Sequence, residues 1–278
     1  MTLRGLYVPL ITPFAPDGSV ALGALERLAH DMLDAGATGL VALGTTAEPS
    51  SLSAAEQAAV LDRLTAVTRD RSARLIVGGA TIPRSATAAL TLVPPFVRPG
   101  EDGVVAHLTA VAARSAVPLV VYHVPYRTGQ ALSAPALQRI AEIPGVAGIK
   151  LAAGGIDAEV IAFMASPPPG FAVLAGDDAF LSPMLALGAH GGIVASAHVA
   201  TADYAALIGS WSPTLGHRLA RLSLALFAEP NPTVIKAVLH AAGRIPTADV
   251  RLPLLPAAKE SLDQCLGLVP AIAASPVR

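Results

Sequence analysis

Eight short apolar runs punctuate the chain, and most are followed by a segment with helical periodicity. The runs are Leu6–Ile11, Gly39–Leu43, Leu75–Gly79, Ala89–Val93, Leu119–His123, Val146–Leu151, Ala172–Ala175 and Gly192–Ala195. They are continuous rather than alternating, the pattern of parallel strands covered on both faces. Helical patterns lie between them. Leu22–Ala35 places Leu22, Leu25, Leu28, Ala29, Met32 and Leu33 on one face, and Ser53 with Glu56 three residues on makes a capping box. Further helices are expected at Asp102–Arg114, Ser133–Glu142, Asp157–Ala165, Asp178–Leu187 and Thr201–Ser210. Eight strands alternating with helices predict an α/β fold, a (β/α)8 TIM barrel. A doubly wound open sheet is the rival, and it usually stops at fewer strands. One link departs from the pattern. Only "ATIPRSATA", with Pro83 inside it, separates Gly79 from Ala89, whereas a parallel crossover usually takes a dozen residues or more. The third barrel helix is therefore expected to be missing or vestigial. Beyond residue 212 the pattern turns to helices alone, at Pro213–Phe227, Thr233–Ala242 and Pro256–Leu266. The chain thus divides into a barrel over 1–212 and a C-terminal helical appendage over 213–278.

Composition excludes several classes. Hydrophobic residues make up 53% and charged residues 14%, which raises the question of a membrane protein. No apolar stretch of about 18 residues runs free of Gly, Pro or charge, so no spanning helix is expected. The single Cys265 leaves no disulfide framework and no cysteine-based metal cluster. A net charge of −1 gives no footprint for nucleic acid. Arg4, Pro9, Pro13 and Asp17 break up any secretory signal at the start. A soluble cytoplasmic protein is the expectation, and no metal or cofactor is expected.

Active sites of such barrels lie at the C-terminal strand ends, and four ends carry chemistry. The second strand ends in "GTTAE", the fifth leads into "YHVPYRTG", the sixth ends in Lys150 and the seventh in "GDD". Lys150 is one of three lysines, and it closes an otherwise apolar run. It either snorkels to water or a carboxylate, or serves as a nucleophile, because an apolar setting disfavours an ammonium and a neutral amine attacks ketones to form a Schiff base. The resulting imine is an electron sink for aldol chemistry. The hydroxyls and N–H groups of Thr45 and Thr46 can grip a carboxylate, or simply cap their own turn. Tyr122, one strand from Lys150, can relay protons or be a packing aromatic. Arg127 can clamp a second carboxylate or sit as a solvated charge.

The ordered set "GTTAE", "YHVPYRTG", "GIKLAAG", "GDD", "HGGI", "EPNP" and "RLPL" resembles the dihydrodipicolinate synthase/N-acetylneuraminate lyase family, from about residue 10 to residue 254. The resemblance implies a class I aldolase or lyase that condenses or cleaves pyruvate with an aldehyde. It also implies a homo-oligomer, a tetramer built from dimers. Carried over, Lys150 forms the Schiff base, Tyr122 and Thr45 relay protons, Thr46 holds the pyruvate carboxylate, and Ile193 contacts pyruvate through its backbone. Gly176, opening "GDD", is placed at the substrate. Arg127 resembles the synthase branch, where it receives the aldehyde's carboxylate. Departures accompany these matches. Phe96, in "PPFVRP", stands where the family has a relay tyrosine that reaches a neighbouring subunit's site. Ala47 and Leu151 replace a glycine and an acid, and Ala54 and Gln57 replace ligands of an allosteric lysine site. Four alternatives stand beside this reading. One is a metal-dependent aldolase using His123, His190, His198 and Asp177. A second is a phosphate-binding isomerase, although Gly191-Gly192 is the only glycine-rich element near the seventh and eighth strand ends. A third is a catalytically impaired paralogue that binds a keto acid as a sensor, and a fourth is another α-keto acid aldolase or dehydratase of the family.

Overall fold

A computed structural model describes residues 2–269. Eight parallel strands close into a barrel in sequence order: β1 (Gly5–Pro9), β2 (Gly39–Ala42), β3 (Arg74–Val77), β4 (Ala88–Leu92), β5 (Leu119–His123), β6 (Val146–Leu151), β7 (Ala172–Ala175) and β8 (Gly191–Ile193). The apolar runs explain the architecture. Successive side chains point to opposite faces of a strand, so Tyr7, Val41, Ile76, Leu90, Val120 and Leu174 fill the barrel interior. Their neighbours Val8, Leu40, Leu75, Val121, Ile149 and Val173 face the helices outside. The same alternation turns Lys150 inward, between the outward Ile149 and Leu151.

The helices are α1 (Leu22–Asp34), α2 (Ala54–Asp70), α3 (Gly100–Arg114), a one-turn α4 (Pro125–Thr128), α5 (Ala134–Ala141), α6 (Ala158–Met164), α7 (Leu181–Ala186) and α8 (Ala197–Gly209). Ser53 and Glu56 cap α2 reciprocally, as the sequence predicts. No helix forms between β3 and β4, again as expected. Residues 78–87 run as an irregular link, anchored where Leu75 N–H donates to Thr87 Oγ1 at 3.1 Å. The uncovered outer wall leaves a cavity of about 540 Å³ bordered by Gly79, Ile82, Thr91, Val111 and Arg114.

Most of the other boundaries shift by one or two residues from the sequence reading, and three differ more. The segment expected as one helix over Asp178–Leu187 is a 3₁₀ turn, Asp178–Phe180, followed by α7. The helix expected from Thr201 starts at Ala197 and kinks at Ala200, where φ is −140° and ψ is 48°. The last helix starts at Lys259 rather than Pro256. After α8 come α9 (Pro213–Leu226), α10 (Thr233–Ala241) and α11 (Lys259–Leu268). Helix α9 packs on α7 and α8, α10 packs on α8, and α11 lies against both α9 and α10. No helix among the described residues is long and apolar enough to cross a membrane.

Candidate active site

The C-terminal ends of β2, β5, β6 and β7 surround a cavity of about 240 Å³. Lys150 forms part of its wall with Tyr122, which is its register partner on β5. Both side chains are 5% exposed, so the amine meets the cavity rather than bulk water. Lys150 Nζ lies 4.2 Å from the centre of the Tyr122 ring. Lys236 and Lys259 are engaged by carboxylates, whereas Lys150 has no ion pair among the described residues. Gly176, opposite, makes the space. A Cβ there would stand 2.8 Å from Lys150 Cγ and 2.9 Å from Ala152 Cβ.

Thr45 and Thr46 enter from a 3₁₀ turn directly after β2. Thr46 is buried, and its Oγ1 accepts Nδ2–H of Asn231 at 2.9 Å. The turn ends at Glu48, which takes a left-handed φ of 54°. Its carboxylate is buried against Lys236 of α10 and accepts the Arg251 backbone N–H at 2.9 Å.

Arg127 lies on α4 rather than on a plain loop, because Pro125 starts a helical turn that Gly129 ends at φ 71°. Its Nε donates to the Tyr126 hydroxyl at 2.7 Å, and its guanidinium lies 5.0 Å from the centre of that ring. Both side chains line the cavity. Tyr126 is 68% exposed, and the partial desolvation of its phenol at the cavity wall raises its pKa only against the lowering effect of Arg127.

Two carboxyls complete the wall. Asp178 is buried and its pKa is pushed up to about 6, with burial outweighing the Ser196 hydrogen bonds and the nearby Lys150 charge. Asp177 is also raised by burial, opposed first by the Gly154 N–H that bonds it at 2.8 Å.

The structure thus brings Thr45, Thr46, Tyr122, Arg127, Lys150 and Gly176 around one cavity. It does not bring two other sequence candidates there. Ile193 is fully buried at the end of β8 beside Tyr7, and Ala195 is the lining residue from that segment. Phe96 is 90% exposed on the loop after β4 and is absent from the wall of its own chain's cavity. Sequence reasoning gave no role to Asn231, Tyr126, Phe180, Ser223 or Phe227, which also line it. The "EPNP" motif was the one available signal, for Asn231.

Two of the three histidines of the metal alternative, His190 and His198, serve the backbone, and His123 Nδ1 is buried with no hydrogen-bond partner among the described residues. His190 Nδ1 accepts Val173 N–H at 3.2 Å, ahead of β8 and away from the cavity. His198 Nε2 accepts Ile11 N–H at 3.2 Å, and its Nδ1 donates to Ala195 O at 2.7 Å. Burial lowers the pKa of His123 to about 4, which keeps it neutral.

Comparisons with known proteins follow the same line. The family model described as the dihydrodipicolinate synthetase family matches residues 2–271. The 4-hydroxy-tetrahydrodipicolinate synthase of Moorella thermoacetica is 32% identical, over 93% of this chain and 94% of that protein. The dihydrodipicolinate synthase of Thermotoga maritima superposes with a TM-score of 0.91 at 27% identity, over 98% of this chain and 99% of that one. The chloride-inhibited dihydrodipicolinate synthase of Acinetobacter baumannii, solved with pyruvate, gives a TM-score of 0.88 at 32% identity, over 98% and 99% of the two chains.

Proposed function

The chain belongs to the dihydrodipicolinate synthetase family and is a lyase of that family; from this premise we propose that Lys150 binds pyruvate as a Schiff base and condenses it with an aldehyde. The observation that carries the reading is the enclosed, unpaired amine of Lys150 beside a phenol and two threonines. The neutral amine adds to the keto carbon, and the carbonyl oxygen takes up a proton. The carbinolamine then loses water to give a protonated imine. The methyl group gives up a proton, and the enamine carbon attacks the aldehyde. Water finally releases the product and restores Lys150. Tyr122 and Thr45 are suited to move protons between nitrogen, carbinol oxygen and aldehyde oxygen. Thr46 donates to the pyruvate carboxylate. Arg127, at the mouth, favours an aldehyde that carries its own carboxylate, such as aspartate semialdehyde. A cytoplasmic homo-oligomer fits this reading. A second copy would cover Phe96 and Val97, which are 90% and 74% exposed.

Borohydride reduction in the presence of pyruvate tests the assignment. Mass spectrometry should find one reduced pyruvate per chain on the peptide containing Lys150. Lys150→Ala should abolish it, and undiminished labelling of that variant would overturn the role. Turnover with aspartate semialdehyde then separates an enzyme from a keto-acid sensor, which would form the adduct and go no further.

A further inference from the structure

The turn that presents Thr46 is braced from the C-terminal helices. Thr12 donates its hydroxyl to Ala47 O at 2.8 Å. Glu48 is held by buried Lys236, whose Nζ also donates to Asp249 O at 2.8 Å. The Phe14 ring lies 4.0 Å from that ammonium and 4.4 Å from the Arg251 guanidinium. These contacts fix the backbone of the turn. They leave one freedom undetermined, the direction of the Thr46 hydroxyl proton.

Asn231 removes that freedom. It precedes α10, lines the same cavity and donates Nδ2–H into Thr46 Oγ1. A threonine hydroxyl has one proton and two lone pairs. With a donor occupying one lone pair, the proton turns away from Asn231. No other partner for Thr46 Oγ1 exists among the described residues, so the proton faces the cavity. An acceptor at position 231 would do the opposite, drawing the proton to itself and presenting a lone pair to the substrate. Asn231 Oδ1 is buried and has no hydrogen-bond partner among the described residues. The amide orientation with Nδ2 toward Thr46 therefore rests on that one bond, and Asn231→Asp, which can present only an acceptor, probes it directly.

We propose that Asn231 is a positioning residue that sets the Thr46 hydroxyl as a donor to the keto acid's carboxylate, so that the site selects α-keto acids over ketones lacking that group. The inference rests on the reading of Thr46 as the carboxylate contact. It extends that reading by naming what gives the hydroxyl its polarity.

The test compares Asn231→Asp, Asn231→Leu and Thr46→Val, using pyruvate and acetone as probes of adduct formation and pyruvate for steady-state kinetics. Asn231→Asp preserves shape but replaces the donor with an acceptor. It should raise KM for pyruvate about 100-fold with kcat changed less than about threefold, the signature of lost uniform binding. Asn231→Leu, which removes the donor without inverting it, should raise KM by about 10-fold. Adduct formation with acetone should stay within about threefold of wild type in both, a readout that general damage to the site would move. Thr46→Val separates the two readings. If it raises the pyruvate KM while both Asn231 variants leave it within twofold, the role of Asn231 is overturned and the Thr46 contact stands. If Thr46→Val changes nothing, the carboxylate contact fails and the inference fails with it. A parallel loss with acetone and pyruvate in Asn231→Asp would also overturn it. Melting temperatures of the three variants are read alongside, and Asn231→Leu supplies the answer should Asn231→Asp fold poorly.

Discussion

Around β5, β6 and β7 the barrel is clothed by helices, and between β3 and β4 it is not. Strands β5 and β6 align from Leu119 with Val146 to His123 with Leu151, with Tyr122 opposite Lys150. Helices α5, α6 and α7 cover that side. Strands β3 and β4 share only the pairs Ile76 with Ala88 and Val77 with Ala89, and no helix covers their junction. The loop that follows β4 carries Phe96 at φ 69° and Arg98 at φ 50°, both left-handed. Every residue proposed to bind and activate a keto acid lines one cavity of a single chain. Of the departures from the family pattern, Phe96 lies on the bare side, whereas Leu151 ends β6 and Ala47, Ala54 and Gln57 follow β2. Under the proposed roles, the contrast makes adduct formation and the later proton transfers separable by mutation.

The largest expected effect breaks the well-built side. Gly176→Ala would place a methyl group against Lys150 Cγ at 2.8 Å, with the Leu151 carbonyl 3.1 Å away. The amine would be pushed out of line, and misplacement by about 1 Å costs roughly 100-fold. The rate of borohydride-trappable adduct should fall by about that factor. An unchanged rate would show that Lys150 has slack and that the enclosure is not what sets its reactivity.

A smaller effect is expected on the bare side. Phe96→Tyr restores a hydroxyl at an exposed position, and its stability should change by less than about 0.5 kcal/mol. Turnover should rise by about 10-fold, a fraction of what general acid–base help supplies, while the rate of adduct formation holds. Because Phe96 lies outside its own chain's cavity, the gain should vanish on dilution to single chains. Equal turnover in wild type and variant at all concentrations would show that the relay is complete without position 96.

The smallest effect concerns the buried Asp178 carboxyl. Its folded pKa is about 6 against an ordinary value of 3.8. The native state therefore holds a proton that the unfolded state has lost between those values. Stability contributed by this group is present below about pH 4 and is lost as pH rises through 6. Asp178→Asn keeps an acceptor for the Ser196 N–H and removes the charge. Its melting temperature should exceed that of wild type by a few degrees at pH 8, with the gap closing toward pH 4, as differential scanning calorimetry can follow. A constant gap would place the origin of the effect elsewhere.

Much of the fold was legible because burial on both faces writes itself into sequence. Leu119–His123, Val146–Leu151 and Ala172–Ala175 match their strands residue for residue. The bare link was legible as a simple shortage of residues. Boundaries were lost where backbone contacts decide them. Strand β8 begins at Gly191, one residue early, where a Cβ would meet Gly5 O at 2.0 Å. The kink at Ala200 joins two helical pieces that read as one later helix. In the site, residues at strand ends could be nominated from the chain order alone. Asn231 was marked only as part of the "EPNP" motif, and its role was not legible, because its bond to Thr46 spans 185 positions. Asp178 could be placed but not characterised, since its perturbation comes from burial among distant segments.

The helix-free link also separates reach from cover. Ten residues, 78–87, connect the end of β3 to the start of β4. Extended chain at about 3.3 Å per residue spans roughly 33 Å. The return trip along a strand of five residues is about 17 Å, plus one interstrand step of about 4.8 Å. An α-helix advances only about 1.5 Å per residue, so in an ordinary crossover most of the residues are spent on shielding the sheet rather than on travelling. The usual minimum length for a parallel connection is thus a requirement for dryness, not for geometry. Closure of the ring is a matter of hydrogen-bond bookkeeping between neighbours, and it survives here with one wall panel left out.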